Sequence, residues 1–202
     1  MNADLQLALD LADAADEITM RGFRSVSLAV RIKADRSPVS EADEAAERVI
    51  RERLQRERPD DGIVGEEYGA SGTSARRWII DPIDATKNYV RGIAVFATLI
   101  ALEENGRLVA GVVSSPALGR RWWASAGEGA FCNGTRIRVS RIASLGEAYL
   151  SYDSVGSFDK SGTADAFLTL ARRCARTRGF GDFWSHMLVA EEAIDAAVEH
   201  FQ

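Results

Sequence analysis

Only two cysteines, Cys132 and Cys174, and two histidines occur among the 202 residues. The cysteines have neither metal-ligand spacing nor a Cys-x-x-Cys pattern. They read as two reduced thiols of a cytoplasmic protein, not as a disulfide framework or a zinc site. The N-terminal Met1-Asn2-Ala3-Asp4 lacks the basic start and apolar centre of a signal peptide, and no run approaches the roughly 20 apolar residues of a membrane span. Positive charge is not in excess: the net charge is −5, which gives no reason to expect nucleic acid or an anionic membrane as partner. An acidic chain can still bind phosphate where metal ions supply the local positive charge. There is no internal repeat and no low-complexity tract. With 46% apolar residues, a chain of this length has ample material for a core.

What stands out is the stretch from Trp78 to Arg91. The apolar run Trp78-Ile79-Ile80 leads into Asp81-Pro82-Ile83-Asp84. Pro82 fixes its own φ and biases Asp81 toward an extended conformation, so a strand is expected to end here. Asp84 stands at a helix start, with Thr86 and Lys87 in the first turn. Two carboxylates on such a turn can hold hard cations and place an anion beside them. A second acidic cluster, Gly65-Glu66-Glu67, follows the apolar pair Ile63-Val64. Together they suggest a metal-dependent phosphate site.

Around this stretch, periodicity outlines the chain. Leu5, Ala8, Leu9, Ala12, Ala15 and Ile18 predict an amphipathic helix stopped at Gly22. Residues 26–32 read as a short strand or extended segment. Ser40-Glu41-Ala42-Asp43 fits a capping box, with Ala46, Val49, Ile50 and Leu54 as the buried stripe of the second helix. Residues 69–76 read as a surface loop. The run 95–102, the Asn105-Gly106 turn, 108–113, 121–124 and the Asn133-Gly134 turn predict an antiparallel meander. Further on, 148–152 reads as a strand and 163–176 as a helix with Ala166, Phe167, Leu170 and Cys174 inward. A last helix runs over 184–192, which periodicity alone extends to His200. The expectation is a layered α/β or α+β architecture in one domain over 1–202. Within it, 1–140 holds the helix pair, the antiparallel sheet and the metal site, and 141–202 holds a C-terminal α/β half.

The acidic cluster at 65–67, the run Trp78-Ile79-Ile80-Asp81-Pro82-Ile83-Asp84-x-Thr86-Lys87-Asn88-Tyr89 and Ser40-Glu41-Ala42-Asp43 resemble signatures of the inositol monophosphatase-like family of Mg-dependent phosphatases. Within it, Tyr89-Val90-Arg91-Gly92 and the segment Gly181 to Met187 are most similar to bacterial histidinol-phosphate phosphatases of histidine biosynthesis. The resemblance implies a layered αβαβα sugar-phosphatase fold, a homodimer, a small-molecule phosphate ester as substrate and Mg2+ as cofactor. Glu66 and Asp81 would be carboxylate ligands of a first Mg2+, with the Ile83 carbonyl and Thr86 nearby. Asp81 would bridge to a second Mg2+ that Asp84 also binds, roughly 4 Å away. Asp43, hydrogen-bonded to Thr86, would orient the attacking water, and the amides of Ala85 and Thr86 would hold phosphate. Asp182, Trp184 and Glu199 would contact the rest of the substrate.

Simpler readings stand beside these. Asp43 could be only the capping partner of Ser40, Thr86 an ordinary first-turn threonine, and Trp184 core. Glu66, Asp81 and Asp84 could be solvated loop acids, Glu67 a surface or outer acid, and His186 a satisfied helix histidine. Three departures from the family pattern also bear on the expectation. The family's second signature, which brings another aspartate to the second metal, is expected past Gln202 together with a strand and a helix, so that site is expected to be incomplete and activity impaired. Ala85 and Glu192 stand where the family has glycine, the first harmless only in helical φ/ψ and the second letting the last helix run on. The alternatives to a histidinol-phosphate phosphatase are an inositol monophosphatase, a phosphatase of nucleotide 3′-phosphates, or a non-catalytic member acting through assembly or ligand binding.

Overall fold

A computed structural model describes residues 2–34 and 37–199, and divides the chain into two compact units, 1–135 and 136–202. In the first, α1 (Ala3–Gly22) opens where the Asn2 side chain accepts the Leu5 amide at 2.7 Å. Its stripe of Leu5, Ala8, Leu11, Ala12 and Ala15 is buried, and it ends at Gly22 as expected. A Cβ at Gly22 would overlap the Tyr89 hydroxyl, so only glycine lets the two meet. β1 (Val30–Ile32) and β2 (Pro38–Ser40) pair antiparallel, which narrows the extended segment at 26–32 to three residues. α2 (Glu41–Glu57) follows, closed by the predicted capping box.

The remaining elements of this unit are β3 (Gly62–Gly65), β4 (Gly69–Ser71), β5 (Arg76–Asp84), α3 (Thr86–Val90), β6 (Ala97–Glu104), β7 (Arg107–Ser115), β8 (Arg120–Ser125), β9 (Gly129–Cys132) and β10 (Thr135–Ile137). They form an eight-stranded sheet in the order β10-β9-β8-β7-β6-β5-β3-β4, with β10 starting at the unit boundary. β5 to β9 form the predicted antiparallel meander, while β3 runs parallel to β5. The core lies where α1 and α2 pack on this sheet: Leu11, Ile50, Leu54, Trp78, Ile80, Ile100, Leu102 and Val112 are fully or almost fully buried in one cluster. Burial of each such side chain contributes about 1.5–3 kcal/mol. Trp78 can sit there because its indole Nε1 donates to Asp61 Oδ2 at 2.9 Å.

Two expectations change here. The loop at 69–76 contains β4, an edge strand recruited by pairing with β3. β5 does not end at Pro82 but runs on to Asp84 through an irregularity between Asp81 and Asp84. The strand can pass Pro82 because the ladder shifts there, and the Pro82 carbonyl accepts Thr98 Oγ1 at 2.8 Å instead. Asp84 therefore closes the strand, and Ala85 is the residue that enters α3.

In the second unit, β11 (Tyr149–Tyr152), α4 (Val155–Lys160), α5 (Ala164–Arg173), β12 (Arg176–Arg178), α6 (Asp182–Ala190) and β13 (Ala196–Val198) build a parallel three-stranded sheet in the order β12-β11-β13. Phe158 stacks on Phe167 at 4.3 Å. Of the four α5 positions predicted inward, only Phe167 is fully buried, and Ala166 is exposed. The last helix does not run on: α6 stops at Ala190, Glu192 takes φ +65°, and the chain turns into β13. The Glu192 and Ala193 amides bond back to Val189 and Leu188 carbonyls at 3.2 and 2.9 Å, closing the helix as glycine normally would. His200 lies outside the described residues.

Candidate active site

Two acidic clusters fifteen residues apart meet through strand register. Because β3 and β5 are parallel with Gly65 beside Ile80, the next residue on each strand, Glu66 and Asp81, come together. The Glu66 amide donates to the Ile80 carbonyl at 3.2 Å and locks that alignment. The register shift after Asp81 then carries Asp84 to the end of β5. Burial, followed by the charges of Asp84 and Glu66, pushes the Asp81 carboxyl well above the ordinary carboxylate range. Its Oδ1 is buried without a hydrogen-bond partner.

The other side of the site comes from α2. Asp43 is fully buried. Its Oδ2 accepts the Ser40 amide at 2.8 Å and the Ser40 hydroxyl at 2.5 Å, while Oδ1 faces Thr86 Oγ1 at 3.2 Å. This acid closes the capping box, and the cap aims its second oxygen at Thr86. Thr86 Oγ1 also lies 2.9 Å from the Ile83 carbonyl oxygen, so a single hydroxyl proton serves two acceptors. Burial lifts Asp43 above its ordinary value, although the bonds from Ser40 and Thr86 oppose the shift. Ala85, between Asp84 and Thr86, takes φ +66° and ψ +43°, the left-handed region and not the helical one in which its methyl is harmless.

Sequence reasoning did not assign Lys33 or Glu47. Lys33 Nζ bridges Glu66 Oε1 at 2.9 Å and Glu67 Oε1 at 2.7 Å. Burial draws its ammonium down, but the two carboxylates outweigh that and hold it above its ordinary value. Glu67 is not a surface acid: its side chain is 5% exposed, and burial raises its carboxyl against the pull of Lys33. Lys33 sits in a turn-rich stretch and had no pattern to mark it. Glu47 had one: with Arg51 it forms an i,i+4 charge pair alongside the buried stripe Ala46, Ile50 and Leu54.

Among the described residues, no group of three or more His, Cys, Asp or Glu side chains is assembled tightly enough to hold a metal ion. Glu66 is turned to Lys33 instead. The donor chemistry nonetheless fits a hard divalent cation. All donors are oxygens, the buried Asp81 Oδ1 has no partner, and the charges of Asp84 and Glu66 both act on Asp81 while Lys33 pairs with Glu66.

The sequence profile of the inositol monophosphatase family matches residues 2–201. The chain belongs to that family. It is 51% identical to the histidinol-phosphatase of Streptomyces coelicolor over 97% of this chain and 77% of that protein. Identity to the histidinol-phosphatase of Mycobacterium tuberculosis is 48%, covering 97% and 78%. Its fold is similar to an inositol monophosphatase from Zymomonas mobilis, with a TM-score of 0.86 and 36% identity over 99% of this chain and 78% of that one. The chain is accordingly a phosphatase of small phosphate esters in a metal-dependent family.

The remaining predicted residues lie in the second unit. Asp182 opens α6 at φ +48°, after Gly181 at φ +71°. Trp184 is partly buried and meets Phe180 edge-on at 5.3 Å, so it is not a core residue in the strict sense. Glu199 Oε1 lies 3.1 Å from His186 Nε2, yet it is buried without a hydrogen-bond partner. No described helix is long and apolar enough to cross a membrane.

Proposed function

We propose that this chain hydrolyses histidinol phosphate to histidinol and inorganic phosphate with Mg2+, as a cytoplasmic homodimer serving histidine biosynthesis. The observation that carries the substrate is the 51% identity to a histidinol-phosphatase over 97% of the chain. Glu66, Asp81 and Asp84, with the Ile83 carbonyl, would hold the Mg2+. When bound, the metal polarises phosphate oxygens and acidifies water.

The protein's own groups do the rest. Asp43 cannot rotate away, because Ser40 holds its Oδ2 twice. Its raised carboxyl is the stronger proton acceptor once ionised. It keeps Thr86 Oγ1 oriented as the group that positions the attacking water. The amides of Ala85 and Thr86 bind phosphate oxygens at the turn. Asp182, Trp184 and Glu199 would contact the rest of the substrate, with Asp182 the candidate partner of its cationic end.

The experiment is phosphate release from histidinol phosphate and inositol 1-phosphate by metal-stripped protein, with and without added Mg2+. Release is expected with Mg2+ and histidinol phosphate. Asp84→Asn should lower it by two orders of magnitude or more, since the loss of an outer-shell partner alone costs about 10–100-fold. Asp182→Ala should hurt the cationic substrate more than the neutral polyol phosphate. A preference for inositol 1-phosphate would overturn the substrate, and metal-independent release would overturn the cofactor.

A further inference from the structure

Directly beneath the Glu66 turn lies a charge that the proposed reaction does not use. Glu47 is completely buried on α2. Its Oε2 accepts the Glu67 amide at 2.6 Å, and its Oε1 accepts the Tyr68 amide at 3.2 Å and Arg51 Nε at 2.7 Å. Arg51 in turn donates to Ser71 Oγ at 3.2 Å and to the Gly69 carbonyl. One helix thus grips both ends of the β3–β4 connection, which is the segment that carries Glu66 and Glu67. Gly65 makes the approach possible, because a Cβ there would overlap the Glu47 carboxylate.

Burying a carboxylate is costly, and a turn of this length could be closed by neutral groups. The arrangement of acceptors explains why an acid is used. Three donors converge on two oxygens, which a carboxylate satisfies and an amide cannot. In return, the two amides that follow Glu66 are held at fixed places, and the Glu66 backbone is fixed from its other side by the Ile80 carbonyl.

We propose that Glu47, braced by Arg51, is a positioning residue that sets the place of Glu66 and so the affinity of the site for its divalent cation. The inference rests on the metal reading of Glu66, Asp81 and Asp84. Glu47→Gln puts an NH2 opposite at least one of the three donors and so releases one arm of the clamp.

The test titrates Mn2+ into metal-stripped protein, without substrate, and follows free Mn2+ by electron paramagnetic resonance. Glu47→Gln is expected to raise the Mn2+ dissociation constant by about 10–100-fold, the range typical of outer-shell partners. Glu52→Gln, an exposed acid on the same helix, should leave it unchanged. In turnover, the Mg2+ concentration needed for half-maximal rate should rise while the rate at saturating Mg2+ stays near that of the parent. A merely structural role would lower the melting temperature and leave the Mn2+ constant within twofold of the parent, and that result overturns the proposal. If Glu47→Gln does not fold, Arg51→Lys carries the test: it keeps the charge and loses the fork, and an unchanged constant overturns the proposal equally. The two readings fail differently. If the parent binds no Mn2+, or Asp84→Asn binds as the parent does, the metal site itself is refuted. Parent binding with an unmoved Glu47→Gln refutes only the clamp.

Discussion

Ala85 and Glu192 carry a conformation that glycine adopts freely: their φ values are +66° and +65°. A side chain in the left-handed region costs on the order of 1–2 kcal/mol. Glycine would return about 0.4–1 kcal/mol of that to the unfolded chain as entropy. Ala85→Gly and Glu192→Gly are therefore each expected to stabilise the protein by about 0.5–1 kcal/mol. The loss of the Arg138 ion pair at Glu192 changes little, because both side chains are well exposed. Urea unfolding measures this as a higher midpoint at constant slope, and a lower midpoint for either variant would refute the strain. The consequences at the two positions differ. At Ala85 the left-handed turn delivers Thr86 to Asp43. At Glu192 it stops α6, although the local run of Glu191, Glu192 and Ala193 favours helix.

At the level of elements, α1 is tied to the sheet by a polar contact as well as by its apolar stripe. Ser114 Oγ on β7 and Arg121 Nη2 on β8 both donate to Asp16 Oδ2 at 2.7 Å, while Asp16 Oδ1 is buried without a partner. Burial outweighs both donors and raises the Asp16 carboxyl above its ordinary 3.8. The folded state then keeps this proton to a higher pH than the unfolded chain does. Its contribution to stability is greatest below 3.8 and falls as the pH climbs through the raised folded value. Asp16→Asn should flatten the dependence of unfolding free energy on pH in that window. Equal slopes for parent and variant, measured by urea unfolding across a pH series, would count against it. Elements like α1 were legible because the helical period of Leu5, Ala8 and Ala12 matches a buried face. β4 and β12 were not, because Gly69-Ala70-Ser71 and Arg176-Thr177-Arg178 carry no apolar period and become strands only by pairing with a neighbour. The candidate site divides in the same way. Asp81, Asp84 and Glu66 stand out by chemistry and spacing, whereas Lys33 and Glu47 matter only through partners 33 and 20 residues away in sequence.

Across the whole molecule, a chain of net charge −5 places Glu66 and Asp84 close enough to act on the buried Asp81, at the site proposed for the cation. Lys33 offsets part of that charge at Glu66 and Glu67, while burial and its neighbours push the Asp81 carboxyl toward its protonated form. Metal-stripped protein should therefore be less stable than the loaded form. At Mg2+ one hundred times above its dissociation constant, linkage gives about 2.7 kcal/mol. For a chain of this size that is a rise in melting temperature of roughly 5–10 °C. Asp81→Asn separates the two consequences of the same charge. It removes the buried repulsion, so the metal-free variant should melt higher than the metal-free parent, by about 2–4 °C for each kcal/mol gained. It also removes a proposed ligand, so added Mg2+ should raise its melting temperature far less than it raises the parent's. The variant is expected to be the more stable protein without Mg2+ and the less stable one with it. Melting curves of both proteins in chelator and in excess Mg2+ decide the matter. If Asp81→Asn melts lower than the parent in chelator, Asp81 holds the fold together by contacts of its own, and the view of it as a charge kept at a cost for the metal fails.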